Sequence, residues 1–479
     1  MYAIATWDYA IVLLFLGATL LLGLGSGRGV TTLQDYALGH RNYSAGAMAM
    51  TLLATNLAGG VLLTMSGMIA TDGVIVGLSC FSVCGGFLLA GLFIVPHAVH
   101  FSGCMTMGDV MQRCYGDTSG LIAGVVGMMN ALLLTGKEFV ILALAAKFLL
   151  GIEASTPFIL LSATGMALYV AYGGMKSVVA TDILHFGCAT IFIPLLGYLA
   201  LQQLGGLKSA MLQLPPAKLA IWDHKDLSLY LVLFLSWFTP VGLIDPAIML
   251  RMFLSPDPKK LRSQYVLTGV YDLAFQVVLI FLGLTGFLLY PQFSGGEQLV
   301  PHMIHNLLPW WLRGLAMTGV LGMCLSTLDS YLHATGLTLI RDLVGPLARR
   351  QGVTIDALRW TRYATVLVAY AAAIIALYAI AHGQGLFDLV LTALEVSSPL
   401  LTLPLFSAMM GLKPHKASFY RALVPTVVSF VLCKAFLPAD QDHWTLVIGL
   451  AVNGLAFFGS HYWHHGGFVT VHRDQTPTA

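Results

Sequence analysis

Hydrophobic residues along this chain neither alternate with polar ones nor keep to one helical face. They run in blocks of about twenty, the length that carries one α-helix across a bilayer. Thirteen such blocks stand at roughly 7–25, 46–70, 74–100, 119–147, 156–174, 177–201, 227–252, 263–289, 312–340, 361–383, 386–411, 417–436 and 443–463. Numbered as spans 1 to 13, they predict an all-α polytopic membrane protein. Span 1 follows MYAIATWD, which lacks the basic start of a secretory signal, and its apolar run is too long for one, so it reads as a retained helix. No stretch between spans has the length or composition of a soluble domain.

Two spans carry their own interruptions. Span 2 reads TLLATNLAGGVLLTMSG, with Thr55, Asn56 and the pair Gly59-Gly60 near its middle. Span 7 reads LFLSWFTPVGLIDPAIMLR, with Pro240, Gly242 and Pro246 inside it. Proline removes a backbone donor and clashes with the preceding turn, and glycine weakens a helix. In lipid the freed backbone groups need partners, so unwinding is tolerated only where it is buried or lines a cavity. The two spans lie five apart, each opening a block of five. Interrupted spans at matching positions of two halves point to a transporter built as a 5+5 inverted repeat. On that reading 1–45 is a first helix and inner loop, 46–201 and 227–411 are the two repeats, and 412–479 holds the last two helices and a short tail. Two merely kinked helices are the alternative.

Composition agrees: 57% of residues are hydrophobic and 10% charged, too few charges to coat a water-soluble surface. A formal charge of +2 gives no footing for nucleic acid. The seven cysteines are odd in number and mostly inside apolar runs, as buried thiols are. Lysine and arginine are unevenly divided between the two sides. With the N-terminus outside, seventeen fall on the inner side, Arg251 among them, against six outside, with Lys137 within the membrane. The positive-inside rule then places the N-terminus out and the C-terminus in the cytoplasm, as for a multi-pass protein of a bacterial inner membrane. Seven of the eight tryptophans sit near span ends; Trp237, inside span 7, does not. No cofactor loop, metal cluster or nucleophile–base pattern is visible, so no enzyme is expected.

Several segments resemble the sodium/solute symporter family, whose members carry proline, sugars, iodide and sialic acid. Asp35-Tyr36-Ala37-Leu38-Gly39-His40-Arg41 is similar to its "YFLAGR" segment after the first span, and Tyr172 through Ser177 with Ala180-Thr181-Asp182 to its "GG-x-x-[AS]-V…TD" turn. Pro246 through Arg251 resembles a "P-x-x-x-x-R" ending of span 7, and Leu325 through Ser330 with Asp342 resembles "MSSLDS…D" in span 9. The resemblance implies uphill uptake of a small solute by alternating access, with Na+ as coupling ion. It places one sodium between Ala54 and Leu57 of span 2 and Met323, Ser326 and Thr327 of span 9. Both hydroxyls could instead bond their own helix. Some members bind a second sodium, which here would involve Asp182, Asp329 and Ser330; alternatively Asp182 caps its helix near Lys176.

For the solute, Asn56 and Gly60 of span 2, Lys137 and Glu138 of span 4 and Trp237 lie at middle depth. Lys137 could hold a carboxylate and Glu138 an ammonium group, which favours an amino acid or other carboxylate. Neighbours in sequence point about 100° apart on a helix, so the two need not pair with each other; structural pairs with Asp245, Asp272 or Glu395 are the alternative. Asp245, His185 and His333 depart from the family pattern. Because histidine titrates near neutrality, proton coupling stays open, as does a transport-like sensor that signals through a separate partner.

Overall fold

The computed structural model describes residues 5–466 apart from 102, 154, 239–243, 294–295, 384–385, 413–414 and 439–440, and excepting the side chains of Val99, 236–238 and 386–392. Helices account for its regular structure. Among the described residues, nine helices are long and apolar enough to cross a membrane: Thr6–Ser26, Val74–Ala98, Thr156–Gly173, Met175–Gln203, Pro258–Leu289, Trp310–Arg350, Ala357–Ala381, Lys416–Phe436 and Trp444–His465. They fall on spans 1, 3, 5, 6, 8, 9, 10, 12 and 13. The pair Ala45–Asn56 and Val61–Asp72, bent by 57°, makes a tenth crossing at span 2. The remaining positions are held by Asp117–Leu150, by Leu227–Phe238 with Pro246–Arg251, and by Leu386–Met409. Length and composition thus support ten crossings, and the expected thirteen rests on these three in addition.

The interruption in span 2 has local causes. Ser44 starts span 2 by accepting the Ala47 N–H at 3.1 Å. The helix stops at Asn56, and at Leu57 the backbone leaves helical values (φ −82°, ψ 63°). Gly59 lies where a Cβ would come within 2.1 Å of Cys324 Sγ and 3.1 Å of the Cys324 nitrogen. Only glycine lets the break rest directly against span 9. In span 7 the described helix covers Leu227–Phe238, and the expected breakers Pro240 and Gly242 lie outside the described residues. It resumes at Pro246 behind Asp245, whose carboxylate accepts the Ile248 N–H at 2.9 Å, a capped start with proline at its first position.

The packing shows the repeat directly. Span 3 packs on span 8, 4 on 9 and 5 on 10, pairs that map onto themselves when the two blocks of five are exchanged. Several other interfaces are matched as well: span 2 against 8 and 9, span 7 against 3 and 4; span 6 against 9, span 11 against 4. Five is odd, so the chain ends each block on the opposite side of the membrane, and two alike blocks must be inverted. Span 9 is the central element, buried almost throughout from Gly314 to Thr338. Span 1 is peripheral, and its Leu13, Leu14 and Leu21 are exposed by 67%, 75% and 72%, the mark of a lipid-facing stripe.

Candidate cation and solute site

The break in span 2 and the middle of span 9 meet through oxygen atoms. Ser326 Oγ donates to the Ala54 carbonyl at 2.7 Å and lies 3.3 Å from the Met323 carbonyl. Thr327 Oγ1 lies 3.1 Å from the Met323 oxygen and 3.4 Å from the oxygens of Ala54 and Thr55. Each hydroxyl bonds within its own helix and also reaches across to span 2. Both side chains are buried. Hydroxyl and carbonyl oxygens converging on an unwound segment are the donor set a hard cation requires. Ala54, Met323, Ser326 and Thr327 are therefore together, and Leu57 stands at the turn itself; this set fits sodium.

One layer toward the N-terminal end of span 2 lies a charged cluster. Arg251, on the resumed half of span 7, is fully buried. Its Nη2 lies 3.3 Å from Asp182 Oδ2, 2.6 Å from Ser330 Oγ and 3.0 Å from Thr51 Oγ1, while Nη1 donates to the Ala247 carbonyl at 2.7 Å. Thr51 also donates a short hydrogen bond to Asp182. Asp329 accepts from Tyr169 OH at 2.9 Å and from Thr181 Oγ1 at 3.0 Å. Asp182, Asp329 and Ser330 are thus brought together, and Asp182 pairs with an arginine rather than capping its helix near Lys176. This corrects the placement of Arg251, counted above as an inner-side charge; it is a core residue, and removing it leaves the direction of the charge bias unchanged. Two carboxylates face one guanidinium here. Asp182 Oδ1 and His185 Nδ1 are buried without hydrogen-bond partners, and Asp182, His185 and Asp329 offer ligand atoms within 4.8 Å of one another.

Span 4 holds a second correction. Lys137 Nζ lies 2.7 Å from Glu138 Oε1, with Glu138 fully buried and Lys137 12% exposed. The neighbours do pair, because a four-carbon lysine stem can fold back across a 100° offset where no other partner is nearer. The alternative partners are engaged elsewhere: Asp245 accepts from Tyr331 OH at 2.5 Å, and Glu395 pairs with Lys434 at 2.6 Å. We therefore expect Lys137→Met to lower stability by about 3–5 kcal/mol through a stranded Glu138, and Lys137→Met with Glu138→Gln to recover much of it; thermal unfolding of both variants checks this. Gly60 also differs from expectation. Its face is closed by Ile141, whose Cδ1 lies 2.2 Å from where a Cβ would stand. The side chain of Trp237 lies outside the described residues.

Asn56 sits at the end of the first half of span 2, half-buried among buried neighbours. Its Nδ2 donates to Asp272 Oδ1 of span 8 at 3.2 Å. Cys84 Sγ lies 3.0 Å from Asp272 Oδ2, and Gln276 Nε2 lies 3.5 Å from Oδ1. The departures settle into structural bonds: His185 Nε2 against Thr19 Oγ1 at 3.0 Å, and His333 Nε2 against the Tyr36 carbonyl at 2.9 Å. Sequence reasoning missed the reach of Arg251 and Thr51 into the cluster and treated Asp272 only as a possible counter-ion. The available signal for Arg251 was its position on a broken span, in register with Asp182 and Ser330 of its neighbours.

An inverted repeat with a broken helix presenting carbonyl and hydroxyl oxygens at its centre defines a secondary carrier of the ion-coupled kind. The Sodium:solute symporter family matches residues 36–414, and the chain belongs to that family. It is similar to the high-affinity proline transporter PutP of Bacillus subtilis (strain 168), 20% identical over 371 residues, which cover 74% of this chain and 78% of the relative. It is similar also to sodium/glucose cotransporter 1 of Sus scrofa, 20% identical over 510 residues, 94% of this chain and 71% of the relative. Among solved structures, a Na+-coupled sialic acid symporter in a substrate-bound outward-open state superposes with a TM-score of 0.82 at 15% identity, over 98% of this chain and 99% of that one. The fold is thus that of the inverted-repeat sodium symporters. The chain is a multi-pass membrane transporter that couples movement of a solute to sodium.

Proposed function

We propose that this protein imports a small polar organic solute across the plasma membrane, taken as a bacterial inner membrane, with its N-terminus outside and its C-terminus in the cytoplasm. Sodium is held by the carbonyls of Ala54, Leu57 and Met323 and the hydroxyls of Ser326 and Thr327. The observation that carries this reading is the convergence of Ser326 and Thr327 on the Ala54 carbonyl at the break. Sodium there ties span 2 to span 9, so its arrival and departure bias the position of the broken helix. Asn56, two residues beyond Ala54, passes that movement to Asp272 of span 8, its hydrogen-bond partner. Binding of one ligand that pre-orders the break lowers the ordering cost for the other, and the resulting coupling is reciprocal.

A second cation at Asp182, Asp329 and Ser330 is supported by the groups gathered there. Two carboxyl groups stand by one guanidinium, and the partnerless Asp182 Oδ1 offers a ligand atom that does not bond Arg251.

Thermal stability of the purified protein tests the coupling. Amino acids, organic acids, sugars and choline-like amines are each added in sodium or in potassium. A ligand stabilises the native state by RT ln(1 + [L]/Kd). We expect a solute whose stabilisation requires sodium; one that stabilises equally in both salts would overturn sodium coupling.

A further inference from the structure

Of the basic side chains set within or against the bundle, Lys137 is paired with Glu138, Arg251 with Asp182 and Lys434 with Glu395. Among the described residues no basic group pairs with Asp272, although it is fully buried. An unpaired carboxylate in the membrane interior is expensive, and such groups mark substrate or ion pathways. Asp245 differs from it in holding a helix start, where backbone N–H groups and the helix dipole favour the negative charge. Asp272 has neutral donors only: Asn56, Gln276 and Cys84.

The orientation of those donors adds a second, independent observation. Gln276 turns its Nε2 toward Asp272, which leaves its Oε1 without a hydrogen-bond partner while the residue is 3% exposed. A buried acceptor left unmade is costly. Gln276, bonded to Asp272, thus carries an acceptor that needs a donor, and Asn56, the half-buried residue of the break, bonds the same carboxylate oxygen. One species answers both needs: a positively charged nitrogen that carries hydrogen, whose charge faces the carboxylate and whose N–H reaches Gln276 Oε1. A sodium ion is a poorer match, because the Cys84 sulfur is a soft neighbour in a set that a hard cation would want filled with oxygen.

We propose that Asp272, with Gln276 Oε1, receives a protonated primary or secondary amine of the transported solute, so that the carrier selects organic ammonium compounds bearing N–H groups. The inference rests on the sodium-coupled reading above and names the chemical class of its solute. It also shifts charge recognition from span 4, where Lys137 and Glu138 neutralise each other, to span 8.

The test uses the full-length protein in lipid nanodiscs, with thermal stability in sodium as the readout. The probes are ethanolamine, glycine and proline as N–H ammonium compounds, choline as a quaternary one, lactate as a carboxylate without nitrogen, and glucose as a neutral solute. We expect at least one of the first three to stabilise the wild type and to bind Asp272→Asn roughly tenfold more weakly or worse, with stabilisation by sodium alone retained. Retained sodium response shows that the variant is folded. Gln276→Leu, which keeps the carboxylate, should weaken the same compound. Stabilisation by lactate or glucose alone, no response to any N–H ammonium compound, or equal binding by Asp272→Asn and wild type would each overturn the inference. If sodium alone stabilises the wild type no more than potassium, the coupling reading fails instead, and this one falls with it.

Discussion

Replacing Ser326 and Thr327 together with alanine should raise the sodium concentration needed for half-maximal stabilisation roughly a hundredfold, with the fold intact. Each hydroxyl lies within hydrogen-bonding range of the Ala54 carbonyl, and each is one of the few side-chain oxygens available to a cation at the break. Interactions of a polar group with a charge contribute about 1.5–3 kcal/mol each. Losing two at the lower value is about 3 kcal/mol, or roughly a hundredfold in affinity. The helix itself should survive, because span 9 is fixed by packing along its whole length, and alanine suits a helix better than serine or threonine. Serine at position 327 keeps the oxygen and discards only a methyl group, so Thr327→Ser should restore most of the response. A sodium titration of thermal stability, with potassium keeping ionic strength constant, separates the outcomes. An unchanged half-saturation in the double variant would remove these residues from the cation site.

Much of this arrangement was legible before any coordinates. The block pattern placed the spans because apolar length is a strong signal that does not depend on neighbours. The break in span 2 was legible because Asn56 and Gly59-Gly60 are local causes with a local result. Ser326 and Thr327 could be matched to Ala54 only through resemblance, since nothing in either segment says which span it faces. What stayed hidden was pairing. Arg251 looked like an interfacial charge because it ends a hydrophobic run, yet the helix resumes only at Pro246, so the residue lies one turn into a new helix and deep in the bundle. Lys137 and Glu138 looked directed at different faces because helical geometry fixes Cβ directions, whereas a long side chain chooses its own path. Gly60 suggested room, but the space belonged to Ile141 on another span. In each case the missing information was which helix stands opposite, and that is set by tertiary packing.

Arg251→Leu should be among the most damaging single substitutions in the bundle, lowering stability by about 3–5 kcal/mol against a total of about 5–15 kcal/mol for a typical protein. The guanidinium is fully buried and joins four spans, holding Asp182 of span 6, Thr51 of span 2, Ser330 of span 9 and its own Ala247 carbonyl. Leucine fills part of the volume but leaves Asp182 and Asp329 facing each other with no positive charge between them. Lysine would not substitute well, because one ammonium cannot span the three directions that the planar fork serves. Asp182→Asn should be milder, since Arg251 would still face Asp329 across the cluster and the amide could bond Thr51. Combining the two should cost less than their sum, because the charge that Arg251→Leu strands is then partly removed; contacting residues couple in this way. Sodium enters through the paired carboxyl groups of the cluster. If a second cation sits between Asp182 and Asp329, sodium should rescue Arg251→Leu by more degrees than it stabilises the wild type, and Asp182→Asn should abolish that extra rescue and lower the sodium Hill coefficient toward one. Thermal unfolding of the three variants in sodium and in potassium reads both effects. Equal rescue in wild type and Arg251→Leu would leave Arg251 as a purely structural strut and limit the carrier to the single cation at the break.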